Sequence, residues 1–210
     1  MTYAVKECFL TLQGEGMQSG SRAVFLRFAG CNLWSGREED RATAQCRFCD
    51  TEFVGTDGKA GGKFSTPEEL ASHVERLWDG GEERRLVVIT GGEPMLQLDS
   101  ALVDALHGRS FRIAVETNGT LPATPGIDWI CVSPKAGTNV VQRSGDELKL
   151  VWPQDGIEPA ELEQWDFDHW LVQPMDCDEL ADSIDAAIRL AMERPKWRLS
   201  LQTHKVVGLA

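Results

Sequence analysis

Three cysteines carry the most specific chemistry in this 210-residue chain. Cys31 is separated from Cys46 by fourteen residues, and Cys46 from Cys49 by two. A two-residue gap lets two thiolates converge on one metal ion or on neighbouring irons of one cluster. A zinc site would want a fourth thiolate or an imidazole, and His73, His107, His169 and His204 do not follow the usual spacing. A redox pair is a further reading, although Arg47-Phe48-Cys49 does not open a good amphipathic helix. Three ligands without a fourth suit a four-iron cluster that keeps one iron open for a substrate or cofactor. On the cysteines alone, cluster, zinc site and plain thiols all stay open. Cys8 and Cys131 lie in apolar runs and Cys177 just ahead of a helix, so these three read as structural thiols.

A second pattern follows the apolar run Leu86-Val87-Val88-Ile89-Thr90, which leads into Gly91-Gly92-Glu93-Pro94. Paired glycines permit close backbone approach, and a carboxylate at the carboxyl end of a strand can accept hydrogen bonds from a ligand ammonium. A simple glycine turn between strand and helix is the plainer reading.

Three cysteines followed by a strand and Gly-Gly-Glu-Pro resemble the radical S-adenosylmethionine (SAM) superfamily. Leu12-Gln13-Gly14-Glu15-Gly16, Cys46-Arg47-Phe48-Cys49-Asp50-Thr51, Glu116-Thr117-Asn118-Gly119 and Ser133-Pro134-Lys135 narrow the resemblance to the 7-carboxy-7-deazaguanine synthases. The motifs run through Thr203-His204-Lys205, nearly the whole chain. One departure is the long gap after Cys31, where the superfamily usually has three residues. Longer loops occur within this family.

The resemblance implies a fold, an activity and a set of roles. The fold is an α/β partial, open TIM-type barrel, a modified radical SAM core forming a single domain over residues 1–210 with a cluster-binding loop at about 30–62. The activity is radical SAM ring contraction of 6-carboxy-5,6,7,8-tetrahydropterin to 7-carboxy-7-deazaguanine with loss of ammonia, a lyase step in queuosine and 7-deazapurine biosynthesis. Cys31, Cys46 and Cys49 would hold a [4Fe-4S] cluster whose open iron binds the amino and carboxylate groups of SAM. Gly92 and Glu93 would hold the SAM amino group, and Phe48, Cys49 and Asp50 would approach its adenine. Ser133, Pro134 and Lys135, with Gln173, Pro174, Met175 and Asp176, would flank its ribose and carboxylate. Thr51 would be a ligand to Mg2+ beside the substrate. Leu12, Gln13, Gly14, Glu15, Arg27, Thr90, Glu116, His204 and Ala210 would bind the pterin, with Glu15 and Glu116 as the catalytic acids or bases. A reductase such as flavodoxin would donate the electron, and the enzyme would be a homodimer.

The residues themselves support parts of this assignment. Gly14-Glu15-Gly16-Met17-Gln18-Ser19-Gly20 has the look of a phosphate loop, but its spacing is wrong and Glu15 would repel phosphate. A pterin ring fits better, since its adjacent N–H groups suit a carboxylate and its carbonyls suit a donor. Arg27, among apolar neighbours in Ala23–Phe28, needs an anionic partner, either a substrate carboxylate or one of the 33 acids of the chain. Plainer readings exist for Thr51 as a turn cap, Lys135 and Glu116 as solvated residues and His204 as a surface histidine. Two rival functions are a glycyl-radical-enzyme activase and a non-catalytic zinc module.

The elements that must position these residues alternate. Strand-like runs occur at Ala4–Leu10, Ala23–Phe28, Leu86–Thr90, Phe111–Glu116, Trp129–Ser133, Glu147–Val151, Trp170–Gln173 and Arg198–Leu201. Helices fall between many of them. One opens at the capping box Thr66-Pro67-Glu68-Glu69, carries Leu70, Val74 and Leu77 and stops at Gly80. A second carries Leu98, Leu102 and Leu106, and a third Leu180, Ile184, Ile188 and Met192. Such alternation predicts crossover units on a mostly parallel sheet with functional groups at the strands' carboxyl ends. A full eight-fold barrel of about 250 residues would be cramped, which favours an open one. A net charge of −12 argues against nucleic acid, and no apolar stretch approaches the ~20 residues of a membrane span. The first residues lack the basic and apolar regions of a signal peptide, so the expected location is the cytoplasm.

Overall fold

The computed structural model describes residues 2–209. Ala210, expected at the substrate, lies outside the described residues. Nine strands form one sheet: β1 (Tyr3–Leu12), β2 (Arg22–Phe28), β3 (Gly62–Phe64), β4 (Leu86–Gly91), β5 (Arg112–Thr117), β6 (Trp129–Val132), β7 (Ser144–Trp152), β8 (Asp166–Pro174) and β9 (Trp197–Leu199). Their order is β3-β1-β2-β4-β5-β6-β7-β8-β9. β1 runs antiparallel to β2 and β3, and every pair from β2 to β9 is parallel. β3 and β9 are edges, so the barrel is open, as the alternation and length predict.

Helices α1 (Pro67–Trp78), α2 (Ser100–His107) and α4 (Leu180–Glu193) cover one face; α3 (Pro159–Leu162) and α5 (Thr203–Val207) are single turns. Thr66 caps α1 by accepting from the Glu69 amide at 3.1 Å, and Glu69 answers one residue early, accepting from the Ser65 amide at 2.8 Å. Asp79, in a left-handed conformation at φ 44°, ends the helix before Gly80 is reached. One core lies between α1, α2 and β1, β2, β4 and β5, around Leu26, Leu70, Ile89 and Leu102. A second joins β6–β8 to α4, around Leu148, Leu150 and Ala187.

The third predicted helix forms but turns a different face inward. Ser183, Ala187 and Leu190 are buried, whereas Leu180, Ile188 and Met192 are exposed. Small residues let α4 sit close on β8 and β9, and this sends the larger side chains outward. β9 stops at Leu199, short of the predicted Leu201, because the Ser200 hydroxyl turns in to Gln173 Oε1 at 3.1 Å. β3, α3 and α5 span three to five residues each, too short for a periodicity to register.

Candidate active site

A cavity of about 540 Å³ opens at the carboxyl ends of the parallel strands. The cysteines sit at one end and a polar corner at the other.

Cys31 follows β2 through Gly30, and Gly92, just past β4, passes directly beneath it. A Cβ at Gly92 would stand 2.4 Å from the Gly30 carbonyl and 2.5 Å from Cys31 Cβ. The paired glycines therefore bring the end of β4 against the first cysteine. Cys46 and Cys49 face the same cavity. The Cys46 thiol hydrogen-bonds to Cys49 and pulls the Cys49 pKa down to about 6, while Cys46 itself is raised by that bond and by burial. Burial raises Cys31, offset in part by backbone N–H groups such as that of Leu33. Lys135 faces the thiols from beyond β6; burial lowers its pKa, and Cys46 and Cys49 act the other way.

These groups fit a [4Fe-4S] cluster. Three thiols share one cavity with a cation beside them, and Cys8, Cys131 and Cys177 do not line it. Among the described residues no three His, Cys, Asp or Glu side chains gather tightly enough for a single metal ion. A cluster asks for wider spacing, because each thiolate holds a different iron.

The loop between Cys31 and Cys46 contains a 3₁₀ turn over Glu38–Thr43. Arg41 on this turn lies 4.1 Å from the Trp34 ring and donates to the carbonyls of Arg47 at 2.8 Å and Cys49 at 3.1 Å. The long insertion thus returns a guanidinium onto the Cys-x-x-Cys backbone. Asp50 and Asp176, expected near SAM, are bridged by Lys205 on α5, with its ammonium 2.8 Å from Asp50. Thr51 lines the cavity and its hydroxyl lies 3.4 Å from Asp50 Oδ1.

At the polar corner, Gln13 Nε2 donates to Glu116 Oε1 at 2.9 Å and the Glu15 amide donates to Gln13 Oε1 at 3.0 Å. Gln202 Nε2 donates to Glu15 Oε1 at 2.9 Å. The Lys149 ammonium contacts Glu15 Oε2 and lies 3.4 Å from Glu116 Oε2. Burial opposes ionisation of Glu15, but Lys149 and Gln202 outweigh it and hold the pKa at about 2. The loop after β1 reaches this corner by crossing the open mouth. Thr203 N donates to the Gly14 carbonyl at 2.9 Å, Gly16 N to Ser200 Oγ at 3.1 Å and Met17 N to Glu147 Oε2 at 2.9 Å. A side chain at Gly14 would strike the His204 ring, 2.1 Å away at Nδ1.

The cavity brings together most of the expected residues. Leu12, Gln13, Gly14, Glu15, Arg27, Thr90, Glu116 and His204 line it on the pterin side, and Phe48, Cys49, Asp50, Gly92, Ser133, Lys135, Gln173, Pro174, Met175 and Asp176 on the SAM side. Two expected residues do not line it. Glu93 is fully buried, and its carboxylate accepts from the Thr117 hydroxyl at 2.7 Å, Met95 N at 2.9 Å and Asn118 N at 2.8 Å. It braces the glycine turn from behind, so the part of that turn which lines the cavity is Gly91 and Gly92. Pro134 is buried behind Ser133, with its carbonyl facing Gln154 Nε2 at 3.4 Å. Arg27 lines the cavity but is already paired through Nε to Glu7 Oε1 at 2.8 Å.

Lys149 and Gln202, which hold Glu15 in the polar corner, are among the cavity residues that the sequence reading missed; for Gln202 no sequence signal stood out, and for Lys149 one did. The signal lay in Glu147-Leu148-Lys149-Leu150-Val151, since a lysine inside a central strand must find an anion.

The radical SAM superfamily profile matches residues 40–146. Over the full length of both chains, the sequence is 61% identical to "7-carboxy-7-deazaguanine synthase" of Caulobacter vibrioides and 59% identical to that of Burkholderia multivorans. Among solved structures, QueE from Escherichia coli superposes with a TM-score of 0.73 at 29% identity, covering 97% of this chain and 95% of that one.

Proposed function

The chain belongs to the 7-carboxy-7-deazaguanine synthases of the radical SAM superfamily, and from that premise we propose how one domain divides its cavity between two ligands. It is a radical SAM enzyme, and its substrate is 6-carboxy-5,6,7,8-tetrahydropterin, contracted to 7-carboxy-7-deazaguanine with loss of ammonia. The carrying observation is the single cavity that has three thiols at one end and the Gln13–Glu116–Lys149–Glu15 array at the other.

When bound, the [4Fe-4S] cluster and SAM supply a 5′-deoxyadenosyl radical. Cys31, Cys46 and Cys49 hold the cluster, and the backbone around Gly92 lies against it. Phe48, Ser133, Lys135 and the stretch from Gln173 to Asp176 enclose the rest of SAM. Glu15 and Glu116 accept N–H groups of the amino-pyrimidinone edge and are placed to take up or return protons there. Arg27 faces the substrate carboxylate with the guanidinium nitrogens that its bond to Glu7 leaves over. Thr90 and His204 close the pterin's flanks. Thr51, at the border of the two halves, is the Mg2+ ligand, where the ion would offset the substrate carboxylate.

An external one-electron donor such as a flavodoxin-type reductase would supply the electron that starts the reaction. Pairing of two copies is supported by the outward Leu180, Ile188 and Met192 of α4, three large apolar side chains left exposed on one helix. Among the described residues no helix is long and apolar enough to cross a membrane. The reducing cytoplasm suits all six cysteines, which are unpaired in the structure.

Anaerobic incubation of reconstituted protein with SAM, reductant, Mg2+ and the carboxytetrahydropterin tests this reading. The expected outcome is 7-carboxy-7-deazaguanine and one ammonia per turnover. SAM cleavage without consumption of the pterin would overturn the substrate assignment. A colourless protein with stoichiometric zinc would overturn the cofactor reading as well.

A further inference from the structure

One cation in the cavity has no task in the reaction as described. Lys149 stands in the middle of β7 with only 5% of its side chain exposed. Its ammonium touches Glu15 from the loop after β1 and approaches Glu116 from the end of β5. The other charged and titratable groups facing it are Glu147 on its own strand, Cys131 on β6 and, with the opposite sign to the acids, Lys135 beyond β6. The remaining oxygens of the two carboxylates are oriented by Gln202 and Gln13, each at 2.9 Å.

Two carboxylates enclosed together repel, and without a counter-charge one of them takes up a proton. A protonated carboxyl donates where an ionised one accepts, which reverses half of the polarity presented to a ligand. We propose that Lys149 is the positioning residue that keeps Glu15 and Glu116 as two hydrogen-bond acceptors side by side, so that the corner recognises a ligand edge made of N–H donors. The inference rests on the pterin reading, because it takes this corner to be the substrate's end of the cavity. Burial works against every charge here. The ion contacts nevertheless keep Lys149 well above the ordinary lysine value and Glu15 at about 2, so both stay ionised throughout the neutral range.

The test compares full-length, cluster-loaded wild type with Lys149→Met and Lys149→Arg. KM for the carboxytetrahydropterin is measured from about pH 6 to about pH 9, where ordinary lysines and carboxylates do not titrate. Iron content, thermal midpoint and uncoupled SAM cleavage are followed alongside. Each variant's KM is read as its ratio to the wild-type KM at the same pH, which removes the contribution of other groups lining the cavity, His204 among them. Lys149→Met should raise KM at least ~tenfold near neutrality, with recovery as pH rises and the shared proton leaves, while iron content and uncoupled cleavage persist. Lys149→Arg, which keeps the charge, should return KM toward wild type. A Lys149→Met enzyme with wild-type KM, or with a KM raised equally at every pH, overturns the proposal. If Lys149→Met does not fold, Lys149→Met/Glu116→Gln removes one carboxylate together with the cation and should restore the thermal midpoint; failure to do so overturns it equally. Should wild type not turn over the pterin at all, the functional reading fails, and the stability of the double variant still decides the role of Lys149.

Discussion

The two ends of the cavity hold their functional groups by different means. At the polar corner, Glu116 and Lys149 project from β5 and β7, whose backbones are fixed by ladders on both sides. Between β2 and β3, by contrast, the cysteine loop has one 3₁₀ turn as its regular structure. It is tied down by side chains: Arg41 to the carbonyls of Arg47 and Cys49, Lys205 to Asp50 and Asp176, and Lys6 to Glu52 at 2.7 Å and Asp57 at 2.9 Å. The sheet can preorganise Glu116 and Lys149 because its geometry does not depend on them, and Lys149 in turn holds Glu15 from the loop after β1. The loop leans on its ligand as well, since a metal bound by residues distant in sequence contributes its binding free energy to their ordering.

The sharpest way to break this contrast is to remove a thiol. Cys31→Ala, Cys46→Ala or Cys49→Ala should abolish iron binding and turnover while leaving the melting of the two sheet cores nearly unchanged, because neither core includes these residues. Cys8→Ala and Cys131→Ala should show the reverse, a loss of stability with iron retained. Iron content, turnover and calorimetry across the single variants check both halves. An active Cys49→Ala enzyme would remove the cluster from this loop.

Arg27→Ala comes next. A charge-assisted contact is worth about 1.5–3 kcal/mol, so KM for the pterin should rise roughly 10- to 150-fold with little change in SAM affinity. Glu7→Gln separates the two readings of this arginine, because it frees the guanidinium without removing it. Substrate affinity that is unchanged or improved assigns Arg27 to the ligand. A fall equal to that of Arg27→Ala makes the Arg27–Glu7 pair structural.

The same contrast governs how much could be read from the sequence. The strands that carry the polar corner announced themselves as short apolar runs, and the alternation of strand and helix was enough for an open, mostly parallel barrel. The cysteines stood out by spacing. What stayed hidden depended on which way a side chain points within a correctly placed element. Glu93 sits in the expected glycine turn but faces inward, because Thr117 and Asn118 offer it donors from β5 and the loop beyond. α4 packs on Ser183 and Ala187 because close approach to β8 favoured small residues over a stripe of large ones. The insertion after Cys31 shows no periodicity, and its organising contact, Arg41 on two carbonyls, is visible only in three dimensions.

The pair at the corner also makes an acid prediction. The pKa of Glu15 is depressed from 4.5 to about 2, so its pairing stabilises the folded state above the unfolded value and is lost as pH falls from about 4.5 toward about 2. Denaturant unfolding over that interval should fall more steeply in wild type than in Glu15→Gln. Parallel curves would show that the contact with Lys149 contributes nothing to folding. On the loop side, Arg41→Ala leaves two carbonyls without their donor, a cost on the order of 1 kcal/mol at this half-exposed site. Iron should leave the variant faster under chelator challenge while the thermal midpoint moves little. Iron retention equal to wild type would show that the cluster alone organises the insertion.

The smallest expected effect is at Lys205. Its ammonium bridges Asp50 and Asp176, but all three side chains are more than a third exposed, at 39%, 44% and 38%. Exposed pairs of this kind are typically worth about 0.2–1 kcal/mol and are screened by salt. Lys205→Ala should therefore weaken SAM binding by no more than about fivefold at low ionic strength, and the difference should shrink as salt is added. The bridge acts by drawing α5 over the junction of the cysteine loop with the stretch after β8, so its loss should loosen both aspartates without disturbing the thiols or the polar corner. Titration of SAM into the loaded variant at low and high salt reads this directly. A loss beyond ~tenfold that salt does not diminish would mean that Lys205 contacts SAM itself, and the loop would then owe less to its clamps than to the ligand they surround.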